Sequence, residues 1–297
     1  MRKPVRLYLT GADGMLGTAL TAALAADPAT AGWVVRGVSV RDFDIADAAA
    51  LHASVDEFRP DVVVHTAAHA IVDDCELDPK LAMRVNIAGV RNVVDACARH
   101  GSRLLYISSD YVFDGVDTPP GGYREDDVPN PRSVYGLTKV AGERMVALLG
   151  DSLSVRTSWL FGGVDERLDN VLSILGHARR GRAPRLIDDQ FSAPTYTVDL
   201  AGALTFLLAG HPRLTGTIHV ANSGSASWYQ VGRHLAAHFP DAPPPVPVAL
   251  GEQGFLGDRP VDSTLNTDRL AALGRPMPPW QDAVDRFRLS LVQENRR

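Results

Sequence analysis

Residues 5–17 read VRLYLTGADGMLG, a compact apolar run that breaks into a glycine-rich turn and feeds the Ala/Leu-rich stretch TALTAALAA at 18–26. That order of strand, glycine turn and helix decides the fold. Gly11, Gly14 and Gly17 are spaced G-x-x-G-x-x-G. A tight turn without side chains lets backbone approach a pyrophosphate, which then rests on the N–H groups at the helix start. The turn therefore predicts dinucleotide contacts from Gly11, Asp13, Gly14, Met15, Leu16 and Gly17.

Outward from this turn the same rhythm repeats. WVVRGVSV (33–40), PDVVVHTAA (60–68), RLLYISSDYVF (103–113) and SLSVRTSWLF (152–161) are short apolar runs, separated by helix-length segments near 47–58, 81–101 and 135–149. Apolar runs that each lead into a helix predict parallel strands buried on both faces. The expected architecture is α/β: a doubly wound parallel sheet of the Rossmann kind over residues 1–161, with 188–210 returning to it. Residues 162–187 and 211–297, with the Pro-rich tracts DAPPPVPV (241–248) and RPMPPW (275–280), are expected to form a smaller C-terminal substrate-binding lobe.

Bulk composition narrows the function classes. The 297 residues are 45% hydrophobic and 22% charged with a net charge of −5, an ordinary globular balance with no case for nucleic acid or an anionic membrane. A local group of arginines can still bind an anionic small molecule. Cys75 and Cys97 lack metal-ligand spacing, read as inert packing, and fit a reducing compartment. The N-terminus has no signal-peptide core, and LAGALTFLLAG (200–210) is about half of a bilayer span, so a cytoplasmic location is expected.

The end of the second strand should hold the adenosine ribose. A carboxylate there accepts the hydroxyls of NAD, whereas Ser39 with Arg41 close by suits the extra phosphate of NADP. NADPH is expected, with NADH as the alternative, and Arg41 as a solvated loop charge is the bland reading. Asp44 and Ile45 are placed against the adenine. Ala67 and Ala68 are small enough to let a cofactor cross the strand ends, and His65 reads as a packed strand histidine.

The segment PRSVYGLTKVAGER (131–144) carries the chemistry. Tyr135 and Lys139, four residues apart, share one face of a helix. Reducing a ketone needs a hydride and a proton for the nascent alkoxide. A phenol can give that proton, although its unperturbed pKa is about 10. A neighbouring ammonium is expected to lower it. Ser109, where RLLYISS runs out, can orient the carbonyl. Alone, Y-x-x-x-K also describes an exposed helix pair; the strand-end serine and the glycine turn make it a reductase centre. Asn86 is expected either to support a water-mediated proton path to Lys139 or simply to pack within its helix.

These pieces resemble the dTDP-4-dehydrorhamnose reductase family of extended short-chain dehydrogenases. The resemblance runs almost end to end: GADGMLG, RPDVVVHTAAHAIVDDCELDP, VNIAGV, ISSDYVFDG, VYGLTKVAGE, RTSWLFG, DDQFSAPTY, NSGSASWYQ and RPVDSTLNTDRL. It implies a triad of Ser109 (often Thr in the family), Tyr135 and Lys139, with Asp110 helping to place the substrate or its proton. It also implies substrate contacts from Trp159 and the Gln190–Thr195 loop, with Arg259 near a sugar-nucleotide diphosphate; His69 and Val112 are assigned to the same side. The implied reaction is NAD(P)H-dependent reduction of the C4 ketone of a nucleotide-linked 6-deoxy-4-ketohexose. A non-catalytic NADP-binding regulatory subunit of the same fold, or a sugar-nucleotide epimerase, are the alternatives. Superfamily habit implies a homodimer. Departures fall toward the substrate side: Ser192 replaces a glycine, Asn170–Val171 replaces N-F, and GVDERLD (163–169) replaces a Gly/Asn-rich loop. Some members carry a divalent ion on interface glutamates; that site does not map here, and no metal is expected.

Overall fold

Short apolar runs with both faces covered can satisfy their backbone only by pairing with one another beneath helices. The computed structural model describes residues 3–294. The chain opens with β1 (Arg6–Thr10), α1 (Met15–Ala26), β2 (Val34–Val38), α2 (Ala48–Phe58) and β3 (Val62–His65). Two short helices, α3 (Val72–Leu77) and α4 (Pro79–Met83), lead through a π turn at Arg84–Ala88 into α5 (Gly89–His100). Then come β4 (Arg103–Ser109), α6 (Val134–Val146), β5 (Ser152–Thr157), β6 (Leu160–Phe161) and α7 (Asn170–Arg179). After them follow β7 (Arg185–Ile187), β8 (Thr195–Tyr196), α8 (Thr197–Gly210), β9 (Gly216–His219) and α9 (Trp228–Ala236). The chain closes with β10 (Val246–Val248), α10 (Asp268–Ala272) and α11 (Trp280–Glu294).

The main sheet is parallel, in the order β2-β1-β3-β4-β5-β9. Strand order reverses around β1, which has β2 on one side and β3 on the other. In doubly wound sheets this switch point opens a crevice at the strands' carboxyl ends. Alternate residues sort to the two faces. Leu7, Leu9, Leu105 and Leu153 pack with leucines of α1 and α8, whereas Tyr8, Val63, Leu104 and Tyr106 pack with α2, α5 and Val146 of α6. Each such apolar side chain stabilises the fold by roughly 1.5–3 kcal/mol.

Of the expected 188–210 return, β8 pairs with β6 in a separate two-stranded sheet, whereas 197–210 sits with the main sheet because α8 lies against α1. The structure differs from the sequence expectation just beyond it. Gly216–His219, in the stretch assigned to the lobe, forms β9 and adds a sixth strand beside β5. Its four residues GTIH are half exposed at the start, too short and mixed to announce a buried strand. A separate core lies away from the main sheet, where Phe161, Leu175, Val231, Trp280 and Phe287 meet from β6, α7, α9 and α11.

Cys75 and Cys97 are unpaired and buried, and burial pushes their thiols up to about 11 and about 12. Among the described residues no helix is long and apolar enough to cross a membrane.

Candidate active site

The crevice at the switch point is a cleft of about 770 Å³, within the range of small-molecule sites, and the glycine turn forms its floor. Gly11 has φ +71°, and a Cβ there would lie 2.7 Å from Thr66 Oγ1. A Cβ on Gly17 would lie 2.1 Å from the Gly11 carbonyl oxygen. The turn therefore has no room for side chains, and it brings the start of α1 directly under the cleft. No side chain caps α1 at Gly14, and its first turn carries no acidic residue. The helix dipole and the leading N–H groups are thus open to an anion. Asp13, Met15, Leu16, Ile45, Ala67 and Ala68 also line this cleft.

At the end of β2 the geometry is more particular. Asp42 accepts from Ser39 N and Oγ at 2.7 and 3.3 Å, and Asp44 accepts from Ala46 N and pairs with Arg84. Ser39 and Asp44 line the cleft, whereas Arg41 stands outside it as an exposed side chain, 3.4 Å from Asp13. Asp42 and Asp44 are thus already engaged, and Arg41, paired with Asp13, is an exposed cation beside this end of the cleft. His65 is buried, with Nδ1 2.7 Å from Thr10 Oγ1 and its ring stacked on Tyr106. Burial, with the Lys139 charge, holds its imidazole down to about 3, so it is neutral packing.

Helix α6 carries the reactive pair because glycines let it lie directly on β4. A Cβ at Gly142 would meet Tyr106 Oη at 2.4 Å, and one at Gly136 would meet the Tyr111 carbonyl oxygen at 2.2 Å. Ser133 caps the helix by accepting from Gly136 N at 3.1 Å. Tyr135 and Lys139 then face the cleft beside Ser109 at the end of β4. The Lys139 ammonium sits 4.7 Å from the Tyr106 ring centre and 5.9 Å from that of Tyr135. Burial lowers this lysine to about 8, against the opposing pull of Glu143.

The expected lowering of the phenol is not found. Burial pushes Tyr135 well above its ordinary value; the Ser109 hydroxyl opposes the rise and the Asp110 charge adds to it. The ammonium lies closer to Tyr106, so desolvation wins. A phenol so held remains protonated, which is the form a ketone reduction consumes.

Behind Ser109 a buried carboxylate gathers three hydroxyls. Asp110 Oδ1 accepts from Ser109 Oγ at 3.0 Å, and Oδ2 accepts from Ser192 Oγ at 3.0 Å and Ser263 Oγ at 2.5 Å. Burial raises Asp110 to about 6, with those hydroxyls pulling the other way. Asn86 is buried, and both ends of its amide are engaged. Its Oδ1 accepts from His69 N, and its Nδ2 donates to His69 O and to Thr138 Oγ1. The widened π turn aims it at the backbone after β3, and it fastens that loop to α6. His69 itself lines the cleft.

A second cleft of about 570 Å³ meets the first at Tyr111, Trp159 and Leu160. Gln190 and Arg259 lie on it, with Arg167, Arg185 and His177. Gln190 Nε2 donates to Pro260 O at 3.0 Å; Arg259 donates to Asp73 at 2.6 Å and stacks on Phe255. Trp159 has φ +40°, a left-handed backbone unusual for an aromatic residue, and stacks on Trp228 with ring centres 4.4 Å apart. Two residues expected on the substrate side are elsewhere. The 3₁₀ turn after β4 rotates Val112 into a core with Phe113 and Tyr123, and Thr195 is buried, donating to Ala193 O. Neither lines a cleft.

Sequence reasoning left Trp228, Ser263 and Tyr111 without roles. Ser227 and Gln230 form a capping box around Trp228, a local sign of a helix start, but nothing local says that its indole reaches Trp159. Ser263 is brought to Asp110 from 153 residues away.

Comparison with known proteins agrees with this geometry. A family profile described as the RmlD substrate binding domain matches residues 5–292. The chain is 38% identical over 291 residues to a dTDP-4-dehydrorhamnose reductase of Streptomyces griseus, covering 94% of this chain and 91% of that one. It is 33% identical over 284 residues to the spore coat polysaccharide biosynthesis protein SpsK of Bacillus subtilis, covering 95% and 96%. The crystal structure of dTDP-4-dehydrorhamnose reductase from Bacillus anthracis in complex with NADP superposes with a TM-score of 0.88 at 32% identity, covering 97% of this chain and 100% of that one. With the glycine turn, the Ser109–Tyr135–Lys139 grouping and matches across nearly its whole length, the chain belongs to the dTDP-4-dehydrorhamnose reductase family.

Proposed function

We propose that the protein reduces the C4 ketone of a nucleotide-linked 6-deoxy-4-ketohexose, with NADPH as the preferred reductant. The observation that carries this reading is the convergence of Ser109, Tyr135 and Lys139 on a cleft floored by an uncapped helix N-terminus, joined to a second cleft rich in arginine. The glycine turn and the open start of α1 fit a pyrophosphate, and Ala67 and Ala68 leave room beside it. The extra phosphate of NADP is assigned to Arg41 and Ser39, and the relative solved with NADP supports that choice.

When bound, the nicotinamide supplies a hydride to the sugar C4. Ser109 directs its hydroxyl to the carbonyl oxygen and orients it. As the C=O π pair moves onto that oxygen, Tyr135 releases its proton to it, and the phenolate left behind is stabilised by the Lys139 ammonium. Trp159 and Trp228 form an apolar wall at the junction of the clefts, and Arg259 offers charge to a diphosphate. A binding-only protein has no need of the phenol–ammonium pair that Tyr135 and Lys139 present beside Ser109. The buried, unpaired Cys75 and Cys97 support a cytoplasmic setting.

The test is a panel of dTDP-, UDP- and GDP-linked 4-keto-6-deoxy sugars assayed with NADPH and with NADH. Turnover of a dTDP-linked ketone with a clear NADPH preference that Arg41→Ala abolishes is expected. An equal or better rate with NADH would reject the role of Arg41, and inactivity across the panel would reject the reaction.

A further inference from the structure

Away from both clefts, one cluster of metal-capable side chains has no part in the chemistry above. His234 lies in α9, His238 follows one turn later just past its end, and Asp285 lies on α11. Their ligand atoms all stand within 4.8 Å of one another. Oδ1 of Asp285 is 3.2 Å from Nε2 of His234 and 3.0 Å from Nε2 of His238. Two ligands of a tetrahedral ion, each about 2.0–2.1 Å from it, stand about 3.3 Å apart. The observed separations are close to that coordination edge.

His234 sharpens the point. Its Nε2 is shielded from solvent and has no hydrogen-bond partner, although the carboxylate is near; only His238 meets Asp285 in hydrogen-bonding geometry. A carboxylate oxygen can accept from two donors, yet in this arrangement only one imidazole is so placed, whereas a cation between the three groups would satisfy all of them. The rings are also held apart in direction: His234 and His238 are inclined by 77°, and His234 packs edge-on against Trp280 at 5.4 Å. Arg288 Nε, 3.9 Å from the same oxygen, is the neighbouring charge that an ion must tolerate.

We propose that His234, His238 and Asp285 bind a divalent transition ion of the zinc class, which fastens α9 to α11 and keeps a position for water. Two imidazoles and one carboxylate suit zinc, cobalt or nickel, and not the oxygen-seeking magnesium or calcium. Because α9 begins at Trp228, the ion would also steady the wall of the second cleft. The proposal is independent of the reductase reading.

Tag-free full-length protein, stripped with EDTA and titrated with Zn²⁺ by calorimetry, should bind one ion per chain. His238→Gln and Asp285→Asn should each weaken binding at least tenfold. Co²⁺ used as a probe should give the visible absorption of a four-coordinate site in the parent and lose it in His238→Gln. Zn²⁺ should raise the thermal midpoint of the parent and not of the variants. Both substituted side chains are partly exposed, and circular dichroism confirms that the variants fold. No bound ion in the parent, or an affinity unchanged in both variants, would overturn the proposal and leave only histidine–aspartate contacts.

Discussion

Ser192 Oγ donates a 3.0 Å hydrogen bond to Oδ2 of Asp110, so a residue that departs from the family pattern is wired to the carboxylate behind Ser109. Both partners are buried, where a hydrogen bond to a charged group is worth about 1.5–3 kcal/mol. Ser192→Ala should therefore lower stability by about that amount in urea unfolding near neutral pH. A loss under about 0.5 kcal/mol would show that Asp110 does not depend on this hydroxyl.

Asp110 gives a pH dependence with a definite sign. Burial raises it to about 6 in the folded chain, above the ordinary carboxylate value, so the folded state holds its proton more tightly. The stabilisation from that proton is complete below about pH 4 and is lost as pH rises through about 6. Asp110→Asn, which cannot ionise, should gain stability relative to the parent between pH 5 and pH 7.5. Unfolding free energies of both proteins at those two pH values check this; a constant difference would contradict it.

Lys139 behaves oppositely. Its folded value of about 8 lies below the ordinary lysine value, so its burial penalty sets in as pH falls through that window and is absent above about 10.5. Lys139→Met should reduce turnover by roughly 10²–10⁴-fold, as loss of acid–base support does. The same variant should be as stable as the parent or more stable at pH 7. In the parent, kcat/KM for reduction should fall as pH rises through about 8. Loss of both activity and several kcal/mol of stability would mean that the lysine is structural.

The arginine of RTSW serves the frame. Arg156 donates from Nε and Nη2 to the two carboxylate oxygens of Glu143, each at 2.9 Å, and both side chains are buried. Glu143→Ala leaves the guanidinium buried without its partner and should cost about 3–5 kcal/mol by chemical denaturation. Replacing both with apolar residues of similar size should recover much of that loss.

What the sequence revealed and what it hid follow from distance along the chain. The glycine turn, the Tyr135–Lys139 spacing and the strand-end Ser109 are local patterns whose geometry follows from one turn or one helix, and all three lie on one cleft. Val112 and Thr195 sit in quoted motifs but face inward, because a motif does not state which side of a turn each residue takes. Ser192, Ser263 and Asp110 meet from separate segments, as do Trp159 and Trp228. The strand Gly216–His219 was hidden by its brevity, and the direction of the Tyr135 shift by burial that only the packed fold supplies.

Hydride delivery to a sugar carbon with proton delivery by Tyr135 is the central claim. Reaction of a dTDP-linked 4-keto-6-deoxyhexose with NADPH deuterated at the transferable nicotinamide C4 position, followed by NMR of the product, tests it most directly. Deuterium is expected at the sugar C4 with the parent protein, and no product above background with Tyr135→Phe, which should still bind NADPH. Full turnover by Tyr135→Phe, or label absent from C4 in a reduced product, would contradict it.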